Sequence, residues 1–227
     1  MPSTLTDRLH SLRTRIATAT ARAGRPAGSV ELLAVSKTFP ASLIAEAAAT
    51  GQTLFGENRV QEALAKIPKL PPTLRWHLIG HLQSNKIRKI LPYVEAIHSV
   101  DSLKLARDIQ RIATELDLHP AIYLEVNLGQ ESSKSGFSAD TLPIHLPELL
   151  TLDRLRILGL MAIPPWQPDP EASRPAFAQL RQLRDQLTHQ THHPLPGLSM
   201  GMSHDFEVAI EEGATIVRVG SALFGER

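Results

Sequence analysis

Short apolar runs alternate with amphipathic segments along most of the chain. Residues 5–23 carry leucines and an isoleucine at helical spacing with arginines on the other side, which predicts an amphipathic helix. After Gly24 and Pro26, apolar runs of strand length are each followed by a segment with helical period. The predicted strands are residues 30–36, 53–55, 74–79, 96–100, 121–128, 155–163, 198–200 and 215–219. The predicted helices between them are residues 41–49, 58–67, 84–90, 102–116, 139–150, 175–189 and 205–212.

Eight strands that alternate with helices in 227 residues predict an α/β protein with one domain, residues 1–227. The favoured fold is a closed parallel (β/α)8 barrel, the TIM barrel. A doubly wound open sheet has the same local pattern and is the alternative. Two proline-rich stretches, residues 164–170 and 192–197, are predicted to be loops because proline disrupts helix interiors and central strands.

The composition narrows the class of function. Lys and Arg number 24 against 23 Asp and Glu, and no basic cluster stands out, so we expect neither nucleic-acid nor membrane binding. The absence of cysteine excludes disulfides, thiolate metal ligands and a cysteine nucleophile. The first 23 residues contain no continuous apolar segment, so neither a secretory signal nor a membrane span is expected there. We expect a cytoplasmic protein.

Lys37 is the first candidate for chemistry, because barrel enzymes place their functional groups where the strands end. It directly follows the apolar run LLAVS of the first predicted strand. Its amine is therefore expected at the barrel mouth beside the apolar interior, where desolvation lowers a lysine pKa and makes the amine a nucleophile. A solvated lysine at a strand end is the alternative, and position alone does not decide between the two.

Small residues follow the seventh and eighth predicted strands. The turn SMGMS ends at Ser203, and Gly220 and Ser221 follow the last strand. Loops at these two places in a barrel often bind phosphate through backbone N–H groups and helix N-termini. The glycines permit close backbone approach, and the serines offer hydroxyl groups. The two turns predict a phosphate site, with ordinary helix capping as the alternative.

Arg218 lies within the apolar last strand, IVRVG, and faces the barrel interior if Val217 and Val219 face outward. A buried guanidinium stays charged and needs a partner. We expect that partner to be a ligand, and an ion pair with an internal carboxylate such as Glu125 is the alternative.

Three further polar residues lie near predicted strand ends. His77 and His81 have the spacing of a metal pair on a helix, but their segment, WHLIGH, is predicted to be a strand and a turn, and no third ligand is evident. We therefore expect no metal site. Asn58, in FGENRVQE, is expected to cap the next helix, to contact a ligand at the barrel mouth, or both.

Seven stretches, in order along the chain, carry a family resemblance. They are LAVSKTFP (33–40), FGENRVQE (55–62), WHLIGHLQSNK (76–86), ESSKSGF (131–137), GLMAIP (159–164), LSMGMS (198–203) and RVGSALFG (218–225). Together they resemble the pyridoxal phosphate homeostasis protein family, which is related to the barrel domain of alanine racemase. Because the stretches span nearly the whole chain, they are more specific than any single motif.

The resemblance implies a barrel of the fold type III class that binds pyridoxal 5′-phosphate (PLP). Within it, Lys37 would hold PLP as a Schiff base, and Arg218 would face the pyridine nitrogen. Ser221 departs from many relatives, in which threonine is expected, but the hydroxyl is kept and with it the phosphate role. The implied cofactor-binding residues are Lys37, Asn58, His81, Ser203, Arg218, Gly220 and Ser221.

The resemblance leaves two functions open, a PLP carrier that supplies apo PLP-dependent enzymes and a PLP-dependent amino-acid racemase. A racemase needs a base on each face of the substrate α-carbon, and in alanine racemase a second domain brings a tyrosine as one of them. Here the chain ends at Arg227, and its only tyrosines, Tyr93 and Tyr123, are not at a predicted strand mouth. We therefore expect PLP homeostasis without substantial turnover.

Overall fold

The structure, a computed structural model, describes residues 4–129 and 135–225. Its helices are α1 (Leu5–Arg22), α2 (Ala41–Ala49), α3 (Val60–Lys66), α4 (Ile87–Ile90), α5 (Leu103–Leu116), α6 (Leu142–Leu149), α7 (Arg174–Thr191), α8 (Phe206–Glu211) and α9 (Ser221–Phe224). Its strands are β1 (Glu31–Val35), β2 (Leu54–Glu57), β3 (Arg75–Leu78), β4 (Ala96–Val100), β5 (Ala121–Asn127), β6 (Phe137–Ser138), β7 (Arg156–Met161), β8 (Gly197–Met202) and β9 (Ile216–Val219).

The strands pair in parallel in the order β4-β3-β2-β1-β9-β8-β7-β5, and β4 also pairs with β5. This last pairing closes the ring, so eight strands form the barrel, and the two-residue strand β6 is added beside β5. An open doubly wound sheet would leave two unpaired edges. The predicted TIM barrel is confirmed, and the open-sheet alternative is wrong.

Side chains of each barrel strand alternate between the interior and the surrounding helices. In β1, Leu32 and Ala34 belong to the large core between strands and helices, whereas Leu33 and Val35 belong to a small separate cluster inside the barrel. This period of two follows from the pleat of a strand. It places every second residue of each strand in a closed space, where a polar side chain must find its partners among the other strands.

Helix α1 precedes the first strand and completes the outer layer. Its N-terminus is capped by Thr4, whose Oγ1 accepts a hydrogen bond from the Asp7 backbone N at 3.1 Å. The helix packs against α8, α9 and α2. Because α9 has only four residues, α1 covers part of the barrel wall that a longer final helix would cover, and Arg8 Nε donates to the Leu223 carbonyl at 2.6 Å.

The structure departs from the predicted elements mainly in short segments. The predicted helix 84–90 is a 3-10 turn (Ser84–Lys86), α4 and a second 3-10 turn (Leu91–Tyr93) that contains Pro92, which ends the α-helical bonding. Neither β6 nor α9 was predicted, because two or four residues are too few to show a period. Residues 131–134 of the ESSKSGF stretch lie outside the described residues.

Over the described residues, none of the helices combines the length and the apolar character that a membrane span requires.

Candidate functional site

A cavity of about 520 Å³ lies at the C-terminal ends of the barrel strands. This is the end of a parallel barrel at which the connecting loops build ligand sites. The cavity brings together residues that are far apart in the chain and that lie in or just after β1, β2, β3, β7, β8 and β9. Six of the seven residues predicted to bind the cofactor line it: Lys37, Asn58, Ser203, Arg218, Gly220 and Ser221.

Lys37 is half-buried and occupies the second position of a tight turn that follows β1. The turn is closed by the Phe39 backbone N, which donates to the Ser36 carbonyl at 3.1 Å. Phe39 also lines the cavity, and its ring packs against the Phe224 ring with centroids 5.0 Å apart. The turn thus brings the Lys37 side chain to the cavity from the β1 side, as its position after the apolar run predicted.

Arg218 is 4 % exposed and points into the barrel, while Val217 and Val219 pack outward. Its Nη1 donates to the Ser199 carbonyl at 2.6 Å and to Ser199 Oγ at 2.7 Å, and its Nη2 donates to the Ala162 carbonyl at 3.0 Å. Burial lowers the pKa of Arg218 to about 10, which still leaves the guanidinium charged at neutral pH. The alternative ion pair with Glu125 is not formed within the described residues; neutral acceptors hold the charge instead.

Two buried histidines extend this hydrogen-bond network through the barrel interior. His98 Nδ1 lies 2.8 Å from Ser199 Oγ, and His98 Nε2 lies 2.9 Å from His77 Nδ1. Arg218 can only donate to Ser199, so donation to His98 gives the buried hydroxyl proton an acceptor. His98 then carries its proton on Nε2 and donates to His77, whose Nε2 lies 4.0 Å from Glu95 Oε2.

Both histidines of this network are neutral at ordinary pH. Burial lowers the pKa of His77 to about 4 and holds the pKa of His98 well below its usual value. His77 does not face His81, the other histidine of WHLIGH, because His77 points into the interior and His81 lies at the surface. Sequence reasoning missed His98, although a histidine at an inward position of the apolar run AIHSV was a usable signal.

The two small-residue turns meet at Ser203. Its Oγ accepts from the backbone N atoms of Gly220 and Ala222, both at 3.3 Å. These are long hydrogen bonds, and their donors belong to the first turn of α9, which begins at Ser221. Ser203 Oγ accepts both N–H groups and can itself donate its hydroxyl proton, which suits a phosphate oxygen.

Gly201 makes the first of these turns possible. It lies in a bulge of β8 at φ 88°, and a Cβ at this position would lie 2.5 Å from the Ala209 Cβ in α8. The turn is closed by Asp205, whose Oδ1 accepts from the Met202 backbone N at 2.7 Å. Ser203 lies between these two residues and is oriented by them.

Asn58 lines the cavity, but it does not cap the next helix. The N-cap position of α3 is Arg59, and its side chain makes no capping hydrogen bond, so the predicted capping role of Asn58 is wrong. Gly80, which follows β3, packs against Asn58 so closely that a Cβ at Gly80 would lie 2.2 Å from the Asn58 carbonyl oxygen. Asn58 is therefore held at the cavity wall by a contact that only glycine permits.

His81 is the one predicted site residue that lies outside the cavity. It is exposed, its Nδ1 lies 3.2 Å from Asp101 Oδ2, and it lines a neighbouring depression that also contains Asn58 and Lys86. Trp166, in the proline-rich loop after β7, lines the cavity instead and is 69 % exposed. Sequence reasoning treated this loop only as a connection, because its distance from the cavity depends on the folded barrel.

The chain is similar to known proteins over nearly its whole length. The family model described as alanine racemase, N-terminal domain, matches residues 8–227. A curated relative from Aquifex aeolicus, named pyridoxal phosphate homeostasis protein, is 47 % identical over 222 residues, which cover 97 % of each chain. The chain belongs to the pyridoxal phosphate homeostasis protein family.

Solved structures of a relative support the same grouping. PipY of Synechococcus elongatus is 44 % identical, and the match covers 98 % of this chain and 100 % of that one. The TM-score is 0.88 for the PipY structure without PLP and 0.86 for the structure with PLP bound. The homeostasis family and the barrel fold are thus shown by sequence and by structure together.

The buried histidines should make stability depend on pH. Their pKa values in the folded protein lie below the value of about 6.5 in an unfolded chain, so the unfolded state binds more protons as the pH falls. The free energy of unfolding should therefore decrease from about pH 6.5 down to pH 4, by up to about 1.4 kcal/mol per pH unit for each histidine. Urea unfolding at several pH values measures this slope. In the variant His77→Gln/His98→Gln the slope should be smaller, and an unchanged slope would contradict the assignment.

Proposed function

We propose that this protein binds PLP reversibly in the cavity, holds it as a Schiff base on Lys37, and supplies it to apo PLP-dependent enzymes in the cytoplasm. The observation that carries the proposal is that an amine, a buried guanidinium and a phosphate-type donor set line one cavity. A relative that is 44 % identical over nearly the whole chain has been solved with PLP bound. The names of the curated relatives support a role in homeostasis.

The residues at the cavity fit the three functional parts of PLP. PLP supplies an aldehyde, which forms an imine with a primary amine. The Lys37 Nζ would supply that amine, and formation of the C=N bond would release one water. The Ser203 and Ser221 hydroxyls bind the phosphate together with backbone N–H groups of the turn that begins α9. Asn58 contacts the cofactor from the cavity wall, and His81 lies near the cofactor in the neighbouring depression.

Arg218 is proposed to face the pyridine nitrogen. A guanidinium has five N–H donors, of which Ser199 and Ala162 engage three, so donors remain for the ring nitrogen. Because the Arg218 guanidinium stays protonated, it donates to the ring nitrogen and leaves the ring unprotonated. A neutral ring is a weaker electron sink, which suits a protein that holds the cofactor more than one that turns over a substrate.

Over the described residues, the cavity has no tyrosine to serve as the second base of a racemase, and His204 is the histidine that lines it. Tyr123 lies on β5 inside the barrel and packs on the His98 ring, with centroids 4.5 Å apart. Tyr93 lies in the 3-10 turn that precedes β4, near the opposite end of the barrel. Neither tyrosine lines the cavity, so the described residues favour a carrier without substantial turnover.

Lys37 should be the residue that forms the Schiff base. Treatment of the PLP-loaded protein with borohydride should abolish its visible absorption band and leave a stable adduct on Lys37, because reduction converts the imine to an amine. Mass spectrometry of the peptides locates the adduct. The variant Lys37→Ala should carry no adduct. A label on Lys86, or on Lys134 outside the described residues, with Lys37 unlabelled would refute the assignment.

Ser203 and Ser221 should bind the phosphate jointly. Each lost hydrogen bond to the dianion should cost about 1.5 to 3 kcal/mol, so Ser203→Ala/Ser221→Ala should raise the dissociation constant for PLP at least about a hundredfold. The affinity for pyridoxal, which lacks the phosphate, should change little. Titrations with both ligands measure the difference, and Ser29→Ala, before β1 at the opposite end of the barrel, is a matched control. An equal loss of affinity for both ligands would rule out the phosphate role.

The loaded protein should restore activity to an apo-aminotransferase and should not itself turn over amino acids. The first assay mixes the two proteins and follows transamination, with free PLP at the same concentration and the loaded Lys37→Ala variant as comparisons. The second assay measures racemase and transaminase rates with common amino acids. A kcat of about 1 to 10³ s⁻¹ for any of them would favour the racemase alternative instead.

A further inference from the structure

Thr38, the residue after Lys37, has an unusual backbone conformation. Its φ is 70°, in the left-handed region that a β-branched residue rarely adopts. It occupies the third position of the turn closed between Ser36 and Phe39, where a positive φ ordinarily calls for glycine or asparagine. Such a conformation persists only where the surroundings compensate for its cost.

Helix α3 supplies that compensation through two side chains, Glu62 and Lys66, which we call the α3 clamp. The Thr38 backbone N donates to Glu62 Oε2 at 2.9 Å. The Lys66 Nζ donates to the Ser36 carbonyl at 3.0 Å and lies 3.4 Å from Glu62 Oε2. The clamp therefore holds the backbone on both sides of Lys37.

A buried carboxyl anchors the clamp. Glu57, at the end of β2, is 1 % exposed, and its Oε1 accepts from Lys66 Nζ at 2.9 Å and from Ser36 Oγ at 2.6 Å. Its Oε2 is buried without a hydrogen-bond partner in the described part of the chain. Burial raises the pKa of Glu57, which means that the charged form of this carboxyl is destabilised by its loss of water. A buried ion pair of this kind contributes little to the stability of the fold, because apolar side chains of similar volume would stabilise it as well.

We propose that the α3 clamp is a positioning device that holds Thr38 in the left-handed conformation and thereby aims the Lys37 amine into the cavity. Within the described part of the chain, Glu62 and Lys66 do not line the cavity, and they act through the backbone of the turn. The inference rests on the proposed function, because it takes Lys37 as the residue that attaches PLP. Pre-organisation of this kind lowers the conformational cost of forming the covalent bond.

The test compares two ligands that differ only in the reacting group. Glu62→Ala should raise the dissociation constant for PLP about tenfold, because the turn no longer presents the amine. It should change the dissociation constant for pyridoxamine 5′-phosphate less than about twofold, since this ligand keeps the ring and phosphate but has no aldehyde to attach. Glu62→Gln, which retains an oxygen acceptor for the Thr38 N–H, should recover most of the affinity for PLP. An equal loss for both ligands would mean a general structural role and would overturn the proposal.

A second variant tests the part played by the backbone. Glycine adopts a positive φ without steric cost, so in a Thr38→Gly background the Glu62→Ala substitution should weaken PLP binding less than about threefold. In a Thr38→Ala background the Cβ and its strain remain, and the loss should stay near tenfold. The same coupling should appear in urea unfolding of the protein without PLP. If the effects of Glu62→Ala are the same in the Gly and Ala backgrounds, the clamp does not act through Thr38.

The outcomes of these experiments distinguish a failure of the positioning role from a failure of the proposed function. If borohydride labels Lys37 in the wild-type protein but glycine at position 38 gives no rescue, the positioning role fails and the attachment site stands. If Lys37 carries no label, the proposed function fails, and the aiming of Lys37 fails with it, whatever the unfolding experiment shows about the turn.

Discussion

A guanidinium enclosed by a barrel of apolar strands is the constraint on which the interior depends. Arg218 stays charged, and the barrel must supply acceptors for it. It does so with a strand hydroxyl and two carbonyls, and the hydroxyl is in turn satisfied by a histidine on another strand. The interior therefore contains a line of hydrogen-bonded polar groups beside the small apolar cluster around Leu33.

Neutrality of the two histidines follows from the same constraint. Burial disfavours their charged forms, and Arg218 adds a positive charge on the same side of the network. The guanidinium is thus the charged group of this hydrogen-bond network at neutral pH, and Arg218 also lines the cavity.

The cavity is assembled mainly by backbone geometry at strand ends. A bulge at Gly201, a tight turn around Lys37 and the first turn of α9 each present a few groups, and none of these segments forms a site alone. The rigid parallel barrel brings them to one end because every strand runs in the same direction. Substitutions that leave the side chains of the site intact can still change its geometry through these turns.

The sequence by itself determined the fold class, the family and six of the residues that line the cavity. The period of two in the strands and the motifs at their ends are local patterns, and local patterns can be recognised in a single sequence. The inward direction of Arg218 followed from its flanking valines for the same reason. Only the tertiary structure decided which acceptors hold Arg218, that His98 joins the network, that Arg59 and not Asn58 is the N-cap of α3, and that Glu62 reaches the turn after Lys37. These contacts join residues on different strands and helices, and their distances are set by the closure and register of the barrel, which no local pattern records.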